Sequence, residues 1–356
     1  MARLTIILLM LCAVFSAQAK TVTDMQGRKV TVPDRVERLI ALGSSMSFVT
    51  YMKAQNLAVG VEDIDKRANF PKPYIYANME MVKNLPVVGR GGPAQSYNVE
   101  AIIGLKPDVV FINAEDGTVA DMLYRKLKIP VVAVSYGRGS FDLKTYMQSI
   151  TFTGEVLGRQ KRAAELNAYI KKIISRLNID VPQKTQAYVG GIAYKGFQGI
   201  DSTAGDFLPF NIAKISNLAH KAGKRSQMFV NKEFIVSISP PLVFLDAEGL
   251  TVMQKQFRDD PQLFGKLPAF KNGRVYLMLP NTAYYVNPEV MLANSFMAAK
   301  AAYPQKYADI DPAAEADRVF TAFVGVPLYK QFEKDTGGYR KVVLKDGGLR
   351  TEPLGK

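Results

Sequence analysis

Two glutamates, Glu100 and Glu233, open matching segments in opposite halves of the chain. EAIIGLKPDVVFIN and EFIVSISPPLVFLD align without a gap: Ile102 meets Ile235, Pro107 meets Pro240, and Val109 to Ile112 meet Leu242 to Leu245. Each reads as a short helix led by an acid, a proline turn and a buried strand. An acid in a first helical turn is favourable dipole chemistry in its own right, so that reading stands beside a functional one. Further acids, Glu115-Asp116 and Asp246-x-Glu248, follow the two strands. They read as loop acids, or as carboxylates for acid/base or metal chemistry. Other reactive groups are scarce. His220 is the one histidine, whereas zinc and manganese sites draw on several His or Cys ligands. Cys12 is the one cysteine, and no phosphate-binding G-x-x-x-x-G-K-[ST] loop occurs. Gly137-Arg138-Gly139 is a fragment of a dinucleotide fingerprint without its third glycine.

The elements that must position these residues alternate between strand and helix. Thr21–Val32 reads as a hairpin and Arg38–Leu42 as a strand, with Gly43-Ser44-Ser45 leading into a helix from Met46. Leu57–Val61, Asp108–Ile112 and Val131–Val134 read as further strands, with helices over Thr118–Leu127 and Asp142–Leu157. Glu62–Pro86 reads as a long irregular loop, a kind of segment that often carries function. Such alternation implies a parallel α/β sheet. Gly158–Asn178 then carries Leu166, Tyr169, Ile170, Ile173, Ile174 and Leu177 at helical spacing, with no proline. After it the pattern restarts: strands over Gln186–Ala193, Leu242–Leu245 and Gly273–Met278, a broadly helical stretch over Phe207–Ala222, and an amphipathic helix over Pro288–Ala302. The repeat on either side of Gly158–Asn178 makes it a spacer between two lobes of similar architecture. The expected division is a signal peptide over residues 1–19, a first lobe over 20–157, an interlobe helix over 158–180, a second lobe with extra C-terminal helices over 181–340, and a polar tail over 341–356.

Residues 1–19 place Arg3 before an apolar run from Leu4 to Phe15 and end in Ala17-Gln18-Ala19, the pattern of a cleavable secretory signal. The chain is therefore expected to be exported. Cys12 lies inside this leader, so the mature chain is expected to hold together without disulfides. The formal charge of +14 suits an anionic ligand or surface. Export and the scatter of the basic residues argue against nucleic acid.

In order and spacing, DMQGRKVTVPDRVERLIAL, VGRGGPAQSYNVEAIIGLKPDVVFI, LKIPVVAV, GEVLGRQKRAAELNAYI, AYVGGIAYKGFQGIDSTAGDFLPF, NKEFIVSISPPLVFL and AFKNGRVYLMLP resemble the class III periplasmic substrate-binding proteins of ABC importers. These carry ferric siderophores, haem, cobalamin and related metal complexes. The resemblance implies two α/β lobes with mainly parallel central sheets, one long rigid interlobe helix, a ligand cleft between the lobes and small closure on binding, with any bending near Gly154 and Gly158. It implies a monomeric, non-enzymatic partner of an inner-membrane permease and its ATPase, with no cofactor of its own. The family's permease-docking glutamates fall by motif on Glu100 and Glu233. In α/β lobes ligands meet loops at the carboxyl ends of strands. That rule selects Ser44, Ser45, Arg67, Arg90, Tyr136 and Arg138 from the first lobe, and Tyr194, Lys195, Phe197, Tyr284 and Tyr285 from the second. Arginine and lysine would pair with an anionic complex, and tyrosine offers a flat face with one polar tip. The expected cargo is a ferric siderophore, with haem or cobalamin as alternatives. A periplasmic enzyme using Glu115, Asp116 or Asp246, or an adhesion module, is the reading from another class.

Overall fold

The computed structural model describes residues 18–354 apart from Asn69 and Pro93. Nearly all of the expected signal peptide lies outside the described residues. A hairpin of β1 (Ala19–Thr23) and β2 (Lys29–Pro33) leads the chain. The first lobe is built on β3 (Leu39–Leu42), β4 (Ala58–Glu62), β5 (Val87–Arg90), β6 (Ser96–Tyr97), β7 (Val109–Asn113) and β8 (Val131–Val134). Their order across the sheet is β6-β5-β4-β3-β7-β8, parallel except for the β5–β6 pair. Its helices are α1 (Met46–Tyr51), α2 (Pro73–Val82), α3 (Val99–Gly104), α4 (Gly117–Leu127) and α5 (Leu143–Val156). Helix α6 (Gln160–Leu177) then carries the chain to the second lobe.

That lobe uses β9 (Gln186–Gly190), β10 (Ser202–Thr203), β11 (Ser216–Asn217), β12 (Met228–Phe229), β13 (Val243–Asp246), β14 (Val275–Met278), β15 (Arg340–Lys345) and β16 (Gly348–Pro353). The main sheet runs β11-β9-β13-β14-β15-β16, and β10 pairs with β12 alone. Its helices are α7 (Leu208–Ile212), α8 (Lys232–Ile238), α9 (Leu250–Asp259), α10 (Pro261–Lys266), α11 (Pro268–Lys271), α12 (Pro288–Ala302), α13 (Pro312–Val324) and α14 (Tyr329–Thr336).

The repeat is structural. Asn98 and Asn231 cap α3 and α8, accepting from Ala101 N at 3.0 Å and Phe234 N at 2.8 Å. Lys106 and Ser239, one residue before the paired prolines, both adopt left-handed backbone (φ 48° and 45°). The strands that follow, β7 and β13, each lie between two parallel neighbours. Their uninterrupted apolar sequence is needed because both faces are covered. Val110 and Ile112 pack into a core private to the first lobe, and Val243 and Leu245 into one private to the second. Val109, Phe111, Leu242 and Phe244 point the other way, into one cluster that runs from lobe to lobe.

Helix α6 buries Leu166, Ile170, Ile173 and Leu177 on one face. Gly158 (φ +65°) makes the turn before it, and a Cβ on Gly154 would stand 2.7 Å from that of Ala163. The lobes are not joined by α6 alone. The C-terminal helices return to the first lobe: the Tyr51 ring meets Phe323 edge-on at 5.1 Å, and Tyr76 meets Phe332 at 5.2 Å.

Four expectations are corrected. The Glu62–Pro86 loop contains α2, started by Pro73 at a position where the missing N–H costs nothing. Helix α12 is not amphipathic: every residue except Lys300 is buried, because α6, α7 and α13 surround it. Its alanines allow that approach. The Phe207–Ala222 stretch breaks at Lys214 (φ 56°) into α7, the edge strand β11 and a 3-10 turn holding His220. The polar tail is instead the β15–β16 hairpin, in register from Arg340–Pro353 to Lys345–Gly348. Its alternating charges face outward while Val342 and Leu349 are buried, an edge protected by charge.

Candidate functional site

Loops at the carboxyl ends of β7 and β8 face loops after β9 and β14 across a cavity of ≈ 600 Å³. The first lobe contributes Asn113, Glu115, Tyr136, Gly137, Gly139, Ser140 and Phe141; the second contributes Ala193, Tyr194, Arg225, Ser226, Gln227, Thr282, Tyr285 and Val286. Two further concavities lie elsewhere, one of ≈ 390 Å³ beside α7 and the end of α6, one of ≈ 900 Å³ among α12, α13, α14 and β15. The smaller shares Phe141 of the loop after β8 with the cleft, but the ≈ 600 Å³ cavity is the one where loops after β7, β8, β9 and β14 meet, at the strand ends where such folds gather ligand contacts. The ≈ 600 Å³ cleft is mostly apolar and aromatic with a few polar groups, the composition of a small-molecule site.

The residues expected from sequence separate into three groups. Tyr136, Tyr194 and Tyr285 line the cleft, and Arg138 is exposed between two of its lining glycines. Tyr136 is buried, its hydroxyl 2.6 Å from Ser47 Oγ, and its ring stacks on Tyr285 at 6.4 Å across the lobe boundary. Lys195 lies over the Tyr194 ring at 5.4 Å on the exposed rim, and Phe197 is exposed beside it. Ser44 and Ser45 are buried beneath the cleft. Ser45 Oγ donates to Leu42 O at 2.7 Å, so it serves the turn into α1 rather than the cavity. Ser44 Oγ is buried with no hydrogen-bond partner, while its carbonyl accepts from Tyr136 Oη at 3.3 Å. Arg67 pairs with Asp63 at 3.4 Å and Arg90 lies exposed at the end of β5; neither lines the cavity. Tyr284 does not line it either, because its phenol is turned into the first lobe.

Sequence reasoning missed Arg225, Gln227, Asn113 and Thr282 as lining residues. Asn113 was within reach: the repeat extends past its aligned strands as Asn113-Ala114-Glu115 and Asp246-Ala247-Glu248. The two ends then diverge. Glu115 is exposed at the cleft and Asp116 caps α4 through Thr118 N. Asp246 is wholly buried and accepts from Asn281 N at 2.8 Å and Nδ2 at 3.0 Å. Burial pushes its carboxyl up to about 6, and burial plus the Asp246 charge pushes Glu248 up to about 8. These are structural acids, not the solvated loop acids the sequence suggests.

A second buried acid group underlies the first-lobe side. Glu62, at the end of β4, accepts from Gly43 N at 2.9 Å and from Tyr284 Oη at 3.0 Å. Burial, then the neighbouring Asp65 charge, pushes Glu62 up to about 8; burial pushes Asp65 to about 6. Lys72 is buried as well and lowered to about 8, chiefly by desolvation against the opposing Glu289 and Asp65 charges. Its Nζ donates to Val286 O at 3.2 Å, Tyr51 Oη donates to Glu289 at 2.7 Å, and Asn287 Nδ2 donates to Pro71 O at 3.1 Å. Each of these bonds joins the two lobes.

Glu100 and Glu233 lie exposed in the first turns of α3 and α8. Among the described residues neither forms an ion pair within 4.0 Å. No helix among the described residues is long and apolar enough to cross a membrane.

Comparison with known proteins supplies the context. A family model described as periplasmic binding protein matches residues 65–282. The molybdate-binding protein MolA of Haemophilus influenzae is 26% identical over 323 residues, covering 83% of this chain and 89% of its own. The Fe(3+)-citrate-binding protein YfmC of Bacillus subtilis is 26% identical over 274 residues, covering 73% and 78%. The solved structure of molybdate-bound MolA superposes with a TM-score of 0.66 at 24% identity, over 86% of this chain and 98% of that one. With two α/β lobes, a cleft at their strand ends and a family model spanning more than half its length, the chain belongs to the periplasmic binding proteins of ABC importers, in their class III form.

Proposed function

We propose that this protein captures an anionic metal chelate of the ferric siderophore or ferric hydroxycarboxylate type in the interlobe cleft and delivers it to an inner-membrane ABC permease. The observation that carries the reading is the cleft itself. Its ≈ 600 Å³ hold three tyrosine rings, Phe141 and Arg225, with Arg138 beside them. Aromatic faces suit the organic shell of a chelate, and guanidinium groups suit its negative charge. A bare oxyanion needs a smaller, more polar cage. Molybdate remains a second reading because MolA, which binds it, matches over most of both chains. Haem and cobalamin are further cargoes of the same importer class.

Glu100 and Glu233 supply the docking points, one per lobe. Exposed ion pairs are individually weak, so such a pair sets geometry and orientation more than affinity. The protein works as a monomer, is exported by a leader cleaved after Ala19, and carries cargo without altering it.

Tyrosine fluorescence reports binding, since the chain has no tryptophan. The mature protein is titrated with ferric citrate, a hydroxamate siderophore, haem, cobalamin and molybdate. Saturable quenching by a ferric chelate is expected, with recovery of unaltered ligand. Saturation by molybdate alone moves the assignment to the oxyanion reading, and no saturable response to any of the five overturns the cargo class.

A further inference from the structure

Two neighbouring residues of one loop carry opposite assignments. Tyr284 and Tyr285 both sit in left-handed backbone (φ 45° and 67°), at the tip of a tight turn closed by the Thr282–Val286 bridge and by Ala283 N donating to Tyr285 O at 2.9 Å. Bulky residues seldom adopt this conformation, and two in succession persist only where surrounding structure holds them. Tyr285 faces the cleft. Tyr284 crosses to the other lobe.

The first lobe is shaped to receive it. Tyr284 Oη donates to Glu62, whose two oxygens lie at 3.0 and 3.1 Å, and Gln95 Nε2 donates to the same phenol oxygen at 2.7 Å. Gly91 completes the slot: a Cβ there would stand 2.5 Å from Ile64 and 3.1 Å from the Tyr284 ring. Glu62 is itself fixed by Gly43 N and lies in a reciprocal cap with Asp65. On the far side of the same β3–α1 turn, Ser44 O and Ser47 Oγ hold the Tyr136 hydroxyl. One first-lobe turn therefore grips the tyrosine that crosses over and the tyrosine on which its neighbour stacks.

We propose that Tyr284 is a positioning residue: seated in the Glu62–Gln95–Gly91 slot, it latches the lobes together and sets Tyr285 against Tyr136 as the rear wall of the cargo cleft. The latch fixes the aperture before cargo arrives. The proposal rests on the cleft being the cargo site, but its central measurement needs no cargo.

The mature chain is expected to lack cysteine, so spin labels can be placed at Lys126→Cys on the first lobe and Gln262→Cys on the second, both exposed. The distance between them is measured in ligand-free protein. Wild type should give a narrow distribution. Tyr284→Phe and Glu62→Ala should broaden it or shift it outward, whereas Glu62→Gln, which keeps an acceptor for the phenol, should restore it. Tyr284→Phe keeps the same ring and backbone, so it decides the matter if Glu62→Ala does not fold. An unchanged distribution in Tyr284→Phe overturns the latch, and so does equal broadening in Tyr285→Ala. In a parallel titration with ferric citrate, Tyr284→Phe should weaken binding about tenfold. If wild type binds no ferric citrate while the distances respond as described, the cargo assignment fails and the latch stands.

Discussion

The loop between β14 and α12 is held by two buried carboxylates, one from each lobe, and the two do different work. Asp246 belongs to the same lobe as the loop and accepts from Asn281 through both backbone and side chain. Glu62 belongs to the opposite lobe and accepts from Tyr284 three residues further on. Both are acids at the end of a parallel strand, and burial raises both. Asp246 ties the loop to its own sheet, so its loss is a local folding defect. Glu62 ties the loop across a boundary, so its loss changes how two folded lobes sit together. The same chemistry serves stability in one place and aperture in the other because of which side of the boundary the donor comes from.

The largest expected effect breaks the local tie. Asp246→Ala leaves the Asn281 and Glu248 N–H donors without their acceptor in a dry site, at a cost of about 4 kcal/mol by urea unfolding. Asp246→Asn, which keeps an oxygen, should lose less; equal loss in both would show that charge rather than hydrogen bonding is being measured.

The next effect separates the acids by pH. Glu62 ionises near 4.5 in an unfolded chain and near 8 when folded, so between these values the folded state holds a proton the unfolded state has released. Its contribution to stability is full below about 4.5 and is lost as pH rises through 8. Glu248, Asp246 and Asp65 act in the same direction. Lys72 acts oppositely and higher: its folded value of about 8 against 10.5 means that stability recovers as pH rises from 8 towards 10.5. Unfolding free energy should therefore fall between pH 5 and pH 8. Glu62→Gln should remove about 3 kcal/mol of that dependence, and an unchanged slope in this variant would place the titration elsewhere.

A smaller effect belongs to the cleft wall. Tyr285→Ala removes the ring facing Tyr136 and should weaken ferric citrate binding about tenfold, or about 1.4 kcal/mol, with the unfolding midpoint lowered only slightly because the Tyr285 ring is partly exposed in the folded protein. The smallest effect on stability is at the docking points. Glu100→Ala with Glu233→Ala should change unfolding by less than about 0.5 kcal/mol and leave cargo affinity intact while abolishing uptake in cells. Loss of affinity in that double variant would move the glutamates into the cleft.

Much of the scaffold was legible because it is local. Val131–Val134 and Pro288–Ala302 fall where the sequence places them, and the interlobe helix runs inside its expected limits. Apolar runs, turn residues and caps are properties of neighbouring positions. The repeat was legible for the same reason, and its capping asparagines and left-handed residues before the prolines deepen it. The misreadings came where packing overrode pattern. An alanine-rich helix looks one-sided until three neighbours enclose it, and a charged C-terminal hairpin looks like a tail until its two valine and leucine positions find the sheet edge.

The cleft was half legible. Strand-end logic found Tyr136, Tyr194 and Tyr285, because a parallel strand's carboxyl end fixes where its loop emerges. It also chose Ser45, Arg67 and Arg90, which sit near such ends but turn inward or outward from the cavity. By itself the sequence determined two like lobes, the helix between them and the family they belong to, since each follows from short-range periodicity and motif order. Only the tertiary structure decided that Glu62 and Tyr284 meet, that an acid after an apolar strand is buried, and that one loop is held from both sides. Those outcomes depend on how two lobes lie against a shared core, and no spacing along one strand or helix encodes a contact between residues so far apart in the chain.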